Sequence, residues 1–443
     1  SITSHSILEF NPAVENWFYI QVTDTLGLSS VGTGMTNDLY DENVTLFSAT
    51  FHEEYDPEIK SFVYISDSLG AVISDTSFYG SGSFVFNKKY PFASTIPKKI
   101  GITTVTEEYD NMSLISNLGV DIGSDFHYYN PYPLVETIGY SYYNFINIPS
   151  EFYRIIINTK GRYLRLSYDS YNPINEDTQV ELSHYHGNED VIVMVYYDDG
   201  TAESLVIDNV QIESYNEIDF SNLTSCSQHV ISNNTGLVND YLGVDLFVTG
   251  DSYLSYYRMA RLDPYGQGLN KTWNSDGDFI VNIPLLSFTS EITVDAHVGD
   301  SYYEPGGKNY RHSTSTGSLP SSIEKIDADF SLINSDINNF QISHYGEFDQ
   351  WRVALHDSST GVSWSVYNSS STSTMILPDL PISVVSEYSE LSDPSFYYTH
   401  IILTDWDCAE SYKEWVELFH SSDGYYRDFC SGFRNLRFLA PEQ

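Results

Sequence analysis

The side chains of this sequence best suited to chemistry are carboxylates that stand close together in short polar stretches. Asp198 and Asp199 are adjacent before a glycine, and Asp276 and Asp278 flank Gly277. Carboxylate oxygens at such spacing are the hard ligands that calcium prefers. The alternative interpretation is local turn capping and solubilising charge, because the stretch around Asp276 lacks the twelve-residue pattern of a calcium loop and its closing glutamate. The sequence therefore predicts calcium as the candidate cofactor, with these four aspartates as ligands.

A pair of histidines offers a second arrangement of possible metal ligands. His184 and His186 are two residues apart on a predicted strand, so both imidazoles would face the same side of a sheet. That spacing suits a transition metal. Solvated polar residues on an exposed sheet face explain the same spacing, and we therefore assign the metal prediction to the aspartates.

Motifs that mark enzymes are absent from the sequence. It contains no G-x-S-x-G, H-E-x-x-H or C-x-x-C pattern and no glycine-rich phosphate loop. The sequence therefore predicts a protein that is not an enzyme. A hydrolase with an unrecognised pair of carboxylates is the catalytic alternative, because such enzymes carry no reliable local signature.

The three cysteines are too few for a disulfide scaffold, but two of them can form one bridge. Cys408 and Cys430 are 22 positions apart around the clearest predicted helix. A bridge between them would stabilise the fold by roughly 3 kcal/mol if it restricts the unfolded chain. Cys226 is then expected to be a buried free thiol, since an unpaired cysteine behaves as a small apolar residue.

Composition excludes several classes of partner. Lysine and arginine total 20 against 61 acidic residues in a chain of 443, which gives a net charge of -41. Such a surface repels phosphate backbones and anionic lipid, so neither nucleic acid nor a membrane surface is an expected partner. No apolar run approaches the roughly 18 residues of a membrane helix, so no membrane span is expected. The 37 tyrosines and 24 phenylalanines nevertheless provide ample material for a core.

The elements that position these residues are predicted to be β-strands that end in an aspartate and a glycine. Alternating apolar and polar residues mark strands with one buried face, and Asp with Gly supplies a side-chain cap and a positive φ for the turn. Further strands are expected at 101–106, 290–298 and 382–388. The recurrent Asp-Gly segments are 18–27, 62–70, 193–200, 259–266 and 353–361.

This spacing predicts an all-β protein built of tandem β-sandwich domains of immunoglobulin-like or fibronectin-III-like kind. We place the domains at 1–110, 111–225, 226–325 and 326–443. The exception to β structure is a predicted helix at 407–423, near the C-terminus. Asp407 and Glu410 would form its capping box, Tyr412, Trp415 and Val416 its apolar face, and Gly424 its end.

Adjacent tyrosines recur along the chain, and Tyr142 with Tyr143 and Tyr397 with Tyr398 are examples. On a strand one ring of each pair faces the core and the other faces solvent. Outward rings stabilise a sheet face, stack on sugars or form protein contacts. We expect an extracellular structural or adhesive protein, at the cell surface or in an assembly such as a filament, that binds itself or a cell-surface or matrix partner. The alternative is a glycan-binding accessory protein. Ser1 in place of Met fits either a removed signal peptide or a shortened chain.

Overall fold

The computed structural model describes residues 16–23, 29–36, 43–52, 60–90, 95–108, 111–128, 137–152, 154–160, 162–167, 178–184, 187–248, 256–261, 277–286, 290–300, 304–421 and 430–441. The described residues contain 31 strands in seven sheets and two α-helices. The prediction of an all-β protein is therefore confirmed. Neither helix is long and apolar enough to cross a lipid bilayer.

The described strands include several that alternate between buried and less buried side chains along their length, as at 139–146 and 362–369. Their bounds in the first half of the chain are β1 (Asn16–Thr23), β2 (Ser29–Thr36), β3 (Asn43–Phe51), β4 (Lys60–Ser66), β5 (Val72–Tyr79), β6 (Gly82–Lys89), β7 (Lys99–Glu108), β8 (Asn111–Asp121), β9 (Ser124–Tyr128), β10 (Gly139–Ile146), β11 (Arg154–Thr159), β12 (Arg162–Ser167), β13 (Gln179–His184), β14 (Glu189–Tyr196), β15 (Ala202–Val210), β16 (Tyr215–Asp219) and β17 (Thr224–Ser225).

The second half of the chain continues the same pattern and adds both helices. Its elements are β18 (Ser227–Asn233), β19 (Asn239–Val248), β20 (Tyr256–Arg261), β21 (Phe279–Ile283), β22 (Ser290–Gly299), β23 (Lys308–Thr316), β24 (Ser322–Ile323), β25 (Ala328–Asn334), β26 (Phe340–Gly346), β27 (Gln350–Asp357), β28 (Val362–Ser369), β29 (Thr374–Met375), α1 (Ile382–Glu387), β30 (Tyr397–Trp406), α2 (Tyr412–Ser421) and β31 (Gly432–Leu439).

The predicted Asp-Gly turns form where the structure describes them, between β4 and β5, β14 and β15, and β27 and β28. In the first, Asp67 Oδ1 accepts hydrogen bonds from the N–H groups of Leu69 (2.8 Å) and Ala71 (3.0 Å). Gly70 adopts φ 87°, a left-handed conformation in which glycine pays no steric penalty. Asp357 caps the third turn in the same way. The predicted turns in 24–27 and 263–266 lie outside the described residues.

The largest element is a twelve-stranded sheet, which we call the central sheet. Its strand order is β20-β19-β22-β23-β31-β30-β27-β28-β8-β7-β4-β5. All neighbours are antiparallel except β28 and β8, which pair in parallel from Ser363 opposite Ser113 to Tyr367 opposite Asn117. That parallel pair joins strands almost 250 residues apart in the chain.

Smaller sheets cover both faces of the central sheet. Phe62 and Tyr64 of β4 point into a core shared with the sheet β25-β26-β29, whereas Val63 and Ile65 point into a core shared with the sheet β6-β3-β9. The sheet β21-β18-β24 forms a third core with β19 and β22. Strands such as β4 are therefore buried on both faces.

A fourth core lies between two further sheets, which we call the β10 sheet (β13-β10-β16) and the β14 sheet (β12-β11-β14-β15-β17). The opposite face of the β14 sheet, through Ile156, Ile192 and Met194, joins the third core. Every described residue of β11 is buried as a result.

The central sheet continues across two of the predicted domain boundaries. β7 and β8 pair across position 110, and β23 pairs with β31 across position 325. These boundaries therefore do not separate independent sheets, although the four cores fall largely within the four predicted segments. The division of the chain into domains stays a prediction.

Helix α2 confirms a helix near the C-terminus but begins five residues later than predicted. Ser411 Oγ accepts a hydrogen bond from the N–H of Glu414 (3.3 Å), and Glu414 Oε2 accepts one from the N–H of Glu410 (2.9 Å). The capping pair is therefore Ser411 with Glu414, and the predicted pair of Asp407 and Glu410 is wrong. The predicted end at Gly424 lies outside the described residues.

Helix α1 was predicted as a strand at 382–388, and that prediction is wrong. Ile382, Val384 and Val385 favour strands by intrinsic preference. Tertiary contacts override this preference, because Val384 is fully buried and Tyr388 Oη donates to the carbonyl of Lys60 (2.7 Å). The short helix closes the end of the central sheet near β4.

The predicted disulfide between Cys408 and Cys430 is present in the structure. It closes a loop that contains α2, whose residues Tyr412, Trp415 and Val416 pack into the core beneath the sheet β6-β3-β9. The bridge therefore fixes both ends of the segment that carries this helix.

We expect reduction of this disulfide to destabilise α2 by about 3 kcal/mol, because the reduced loop regains conformational freedom. Hydrogen exchange with and without dithiothreitol measures the effect on the amides of α2. The matched control is Cys226→Ser, which removes the other described cysteine and leaves the bridge intact. Unchanged protection of α2 after reduction would contradict the expectation.

Candidate functional site

The densest group of chemically active side chains lies in the core between the β10 and β14 sheets. His184 Nε2 lies 2.5 Å from Ser141 Oγ, and His184 Nδ1 lies 2.6 Å from Glu189 Oε1. Ser141 Oγ donates to Tyr143 Oη (2.7 Å), and the N–H of Lys160 donates to Glu189 Oε2 (2.7 Å). We call these five residues the sealed network.

Three strands bring the sealed network together. Ser141 and Tyr143 are alternate residues on the inner face of β10, and His184 ends β13 opposite Gly139. Glu189 begins β14 and alternates with Val191 and Val193, whose side chains point into the same core. Burial raises the pKa of Tyr143 to about 12, so its hydroxyl stays protonated at neutral pH.

Ser141 contacts His184, which contacts Glu189, and a hydrolytic triad has the same sequence of contacts. Solvent does not reach these three side chains. Ser141 and His184 are fully buried, and Glu189 is 3% exposed. A triad serine must lie beside a space for the substrate carbonyl and its oxyanion donors. In this conformation the network therefore connects β10, β13 and β14 and has no face to offer a substrate.

The position of His184 differs from the one that the sequence favoured. The sequence favoured a solvated position on an exposed face, whereas the imidazole lies in the core beside Glu189. His186, the second predicted ligand, lies outside the described residues. The alternation of side chains along β13 could have placed His184 in the core. Val180 and Leu182 point inward, and His184, two residues after Leu182, must point the same way.

Two of the aspartates predicted as calcium ligands accept hydrogen bonds from the protein, Asp199 within its own turn and Asp278 from a distant part of the chain. Asp199 Oδ1 accepts from the N–H (2.9 Å) and the hydroxyl (2.6 Å) of Thr201, and these bonds lower the pKa of Asp199. Asp198 is exposed in the same turn, and Asp278 Oδ1 accepts from the N–H of Asn233 (3.1 Å). Asp276 lies outside the described residues. Calcium binding stays a prediction.

Among the described residues, one group of three potential metal ligands lies within 4.8 Å, and it consists of Asp407, Cys408 and Cys430. Both sulfurs belong to the disulfide, so neither is the thiolate that a metal requires. Burial raises the pKa of Cys226, which favours its inert thiol form. Cys408 and Cys430 therefore stabilise the fold as a disulfide, and Cys226 is a thiol of low reactivity.

The strands β5 and β6 form an exposed corner with apolar side chains. In the described residues β5 pairs on one side with β4, and β6 pairs on one side with β3, so each strand is an edge of its sheet. Tyr79 is 58% exposed and Val85 is 60% exposed. We call these two strands the β5–β6 edge. Their free backbone groups can accept another strand.

The outer face of the β10 sheet carries a second group of exposed apolar side chains. Tyr142 and Tyr215 are cross-strand neighbours whose rings stack at 4.9 Å with an interplanar angle of 18°. Tyr143 points to the core, as the predicted alternation of adjacent tyrosines requires, and Tyr398 is likewise buried beside the less buried Tyr397. Sequence reasoning missed Tyr215, because its partner strand could not be predicted.

Comparison with known proteins assigns the chain to no family. No protein-family model matches it, and no curated protein matches its sequence. Function is therefore inferred from the residues and geometry described above.

Proposed function

We propose that this protein is a structural or adhesive component outside the cell, either at the cell surface or as a subunit of an assembly such as a filament. The observation that carries the proposal is the central sheet, which joins strands from β4 to β31 and is covered on both faces. A continuous hydrogen-bonded sheet with packed layers resists deformation, since its strands cannot separate without breaking the cores.

An extracellular location is supported by the disulfide and the net charge. Disulfides persist in oxidising compartments and are rare in the cytosol. A charge of -41 keeps a large β protein soluble and opposes unwanted aggregation. The proposal also includes tandem β-sandwich units of immunoglobulin-like or fibronectin-III-like kind, supported by the four cores between facing sheets.

No catalytic role is part of the proposal. The sealed network has the residue types of a hydrolase, but its burial leaves no room for a substrate. A glycan-binding role has one observation in its favour, the stacking of the exposed Tyr215 on the half-buried Tyr142. Aromatic faces of this kind also suit protein partners.

Self-association is proposed to use the β5–β6 edge. Two edge strands of different sheets follow one another in the chain there, and each can extend its own sheet with a strand of a neighbouring subunit. The exposed rings and methyl groups of Tyr79 and Val85 would be covered in such a contact. This arrangement would build a chain of subunits without new folded elements.

We expect the double substitution Ser77→Glu and Val85→Glu to weaken self-association about tenfold, because like charges face each other across the paired edges. Sedimentation velocity over a range of concentrations measures the association of the full chain. Leu285→Glu, an equally exposed apolar residue away from the edge, is the control. The proposal would fail if the unmodified protein stayed monomeric and bound neither cells nor matrix.

A further inference from the structure

The outer face of the β10 sheet presents a continuous apolar surface, which we call the tyrosine face. Ile138, Tyr140 and Tyr142 alternate along β10 and the residue before it, and Tyr215 stands beside Tyr142 on β16. Ile138 is 52% exposed, Tyr140 39% and Tyr215 72%. Exposed apolar side chains that adjoin one another mark interaction surfaces more often than scattered ones do.

The rings of the tyrosine face leave one aromatic surface open. Tyr142 and Tyr215 stack on each other, so each covers one side of its neighbour. Among the described strands β16 is an edge of its sheet, and Tyr215 is 72% exposed, so the second side of its ring is open to solvent. The negative face of an aromatic ring attracts an ammonium or guanidinium group.

Carboxylates surround these rings. Glu181 lies opposite Tyr142 on β13, and Glu217 lies opposite Asn144 on β16, with both side chains exposed. Glu213 follows in the turn before β16, where its N–H donates to the carbonyl of Tyr140 (2.6 Å). None of the three carboxylates forms an ion pair with a lysine or arginine of the described residues.

We propose that the tyrosine face binds a basic segment of a partner protein, with a lysine or arginine side chain over the open ring of Tyr215 and further cations beside Glu181 and Glu217. Charge complementarity selects this partner. A neutral sugar could stack on the rings but gains nothing from the carboxylates, and an acidic sugar is repelled by them. A net charge of -41 steers cations toward the surface.

This inference goes beyond the proposed structural role and does not depend on self-association. The tyrosine face belongs to the β10 sheet, whereas the β5–β6 edge belongs to the central sheet and the sheet β6-β3-β9. A monomer can therefore bind a basic partner, and a polymer can exist without one.

The test uses the full chain and an acetylated pentapeptide that carries lysine at positions one, three and five with glycine between. Titration calorimetry at about 0.15 M salt limits the contribution of long-range attraction by the acidic surface. We expect Tyr215→Ala to raise the Kd about tenfold and Tyr215→Phe to leave it nearly unchanged, because the ring face carries the attraction. Tyr79→Ala, which removes an exposed tyrosine from another sheet, should have no effect.

Two further measurements complete the experiment. The pair Glu181→Gln and Glu217→Gln should weaken binding, whereas Glu304→Gln and Glu347→Gln, which remove the same charge from exposed positions elsewhere, should not. The proposal would be overturned if Tyr215→Ala left the Kd for the lysine peptide unchanged. Binding of the neutral tetrasaccharide cellotetraose that depends on Tyr215, without binding of the peptide, would overturn it in favour of a glycan site.

Discussion

Glu189→Ala is expected to destabilise the sandwich of the β10 and β14 sheets by about 3–5 kcal/mol, because one partner of a buried polar pair is removed and the other stays buried. His184 Nδ1 loses the carboxylate oxygen 2.6 Å away, and the N–H of Lys160 loses its acceptor. Water does not replace the lost carboxylate as a partner of His184 or of the Lys160 N–H, since the side chains of His184 and Glu189 are fully buried.

Hydrogen exchange of the full chain measures this effect at the amides of β10, β11 and β14. Glu189→Gln keeps an acceptor for Lys160 and should cost less than the alanine variant, by about 1–2 kcal/mol. Glu217→Ala, which removes an exposed glutamate from the facing β10 sheet, should change stability by less than about 0.5 kcal/mol.

The double variant His184→Leu with Glu189→Leu distinguishes a paired network from general sensitivity of this core. Replacing both partners by apolar groups leaves no buried polar group without its partner, so the double variant should be more stable than Glu189→Ala. If Glu189→Ala and Glu217→Ala had equal effects, the sealed network would not hold these strands together.

Trp364→Ala is expected to destabilise the N-terminal and C-terminal parts of the central sheet together, by about 3–5 kcal/mol. Trp364 is 1% exposed, and its Nε1 donates to Ser116 Oγ (2.8 Å) across the parallel pair of β28 and β8. The core around it includes Leu114 of β8 and Val353 of β27. A cavity there removes contacts from strands almost 250 residues apart.

Hydrogen exchange resolves which strands lose protection. If β7 and β8 lose protection from hydrogen exchange together with β27, β28 and β30, the central sheet unfolds as one unit. Trp364→Phe keeps most of the ring volume and should have a smaller effect, and Tyr345→Ala, at an exposed position of β26, should have little. Loss confined to β27, β28 and β30 would instead favour independent domains at 1–110 and 326–443.

Some functional features were within reach of sequence reasoning. The disulfide followed from two cysteines 22 positions apart around a predicted helix, and the adjacency of Tyr142 and Tyr143 predicted that one of the two rings faces outward. The predicted metal residues fared differently. The carboxylate of Asp199 accepts its hydrogen bonds from Thr201 within its own turn, as the Asp-Gly pattern also predicts. The spacing of these residues alone could not separate turn capping from calcium binding.

The sealed network was not predicted, because its members come from three separate strands. Ser141, His184 and Glu189 span 48 positions, and no local motif relates them. The contact of Ser141 with His184 depends on the pairing of β10 with β13, and the contact of His184 with Glu189 depends on how the β10 sheet packs on the β14 sheet. Sequence alternation places His184 on the inner face of β13, but it does not show which carboxylate lies opposite.

By itself the sequence determined the class of the protein, since alternation with a period of two and Asp-Gly turns are local properties of a strand and its end. The tertiary structure decided which strands pair, as β8 with β28, and that 382–387 is helical. Pairing depends on burial between residues far apart in the chain, and many alternating strands could satisfy it equally well until the cores are packed. The arrangement of the tyrosine face, where Tyr215 meets Tyr142, is therefore a property of the folded chain.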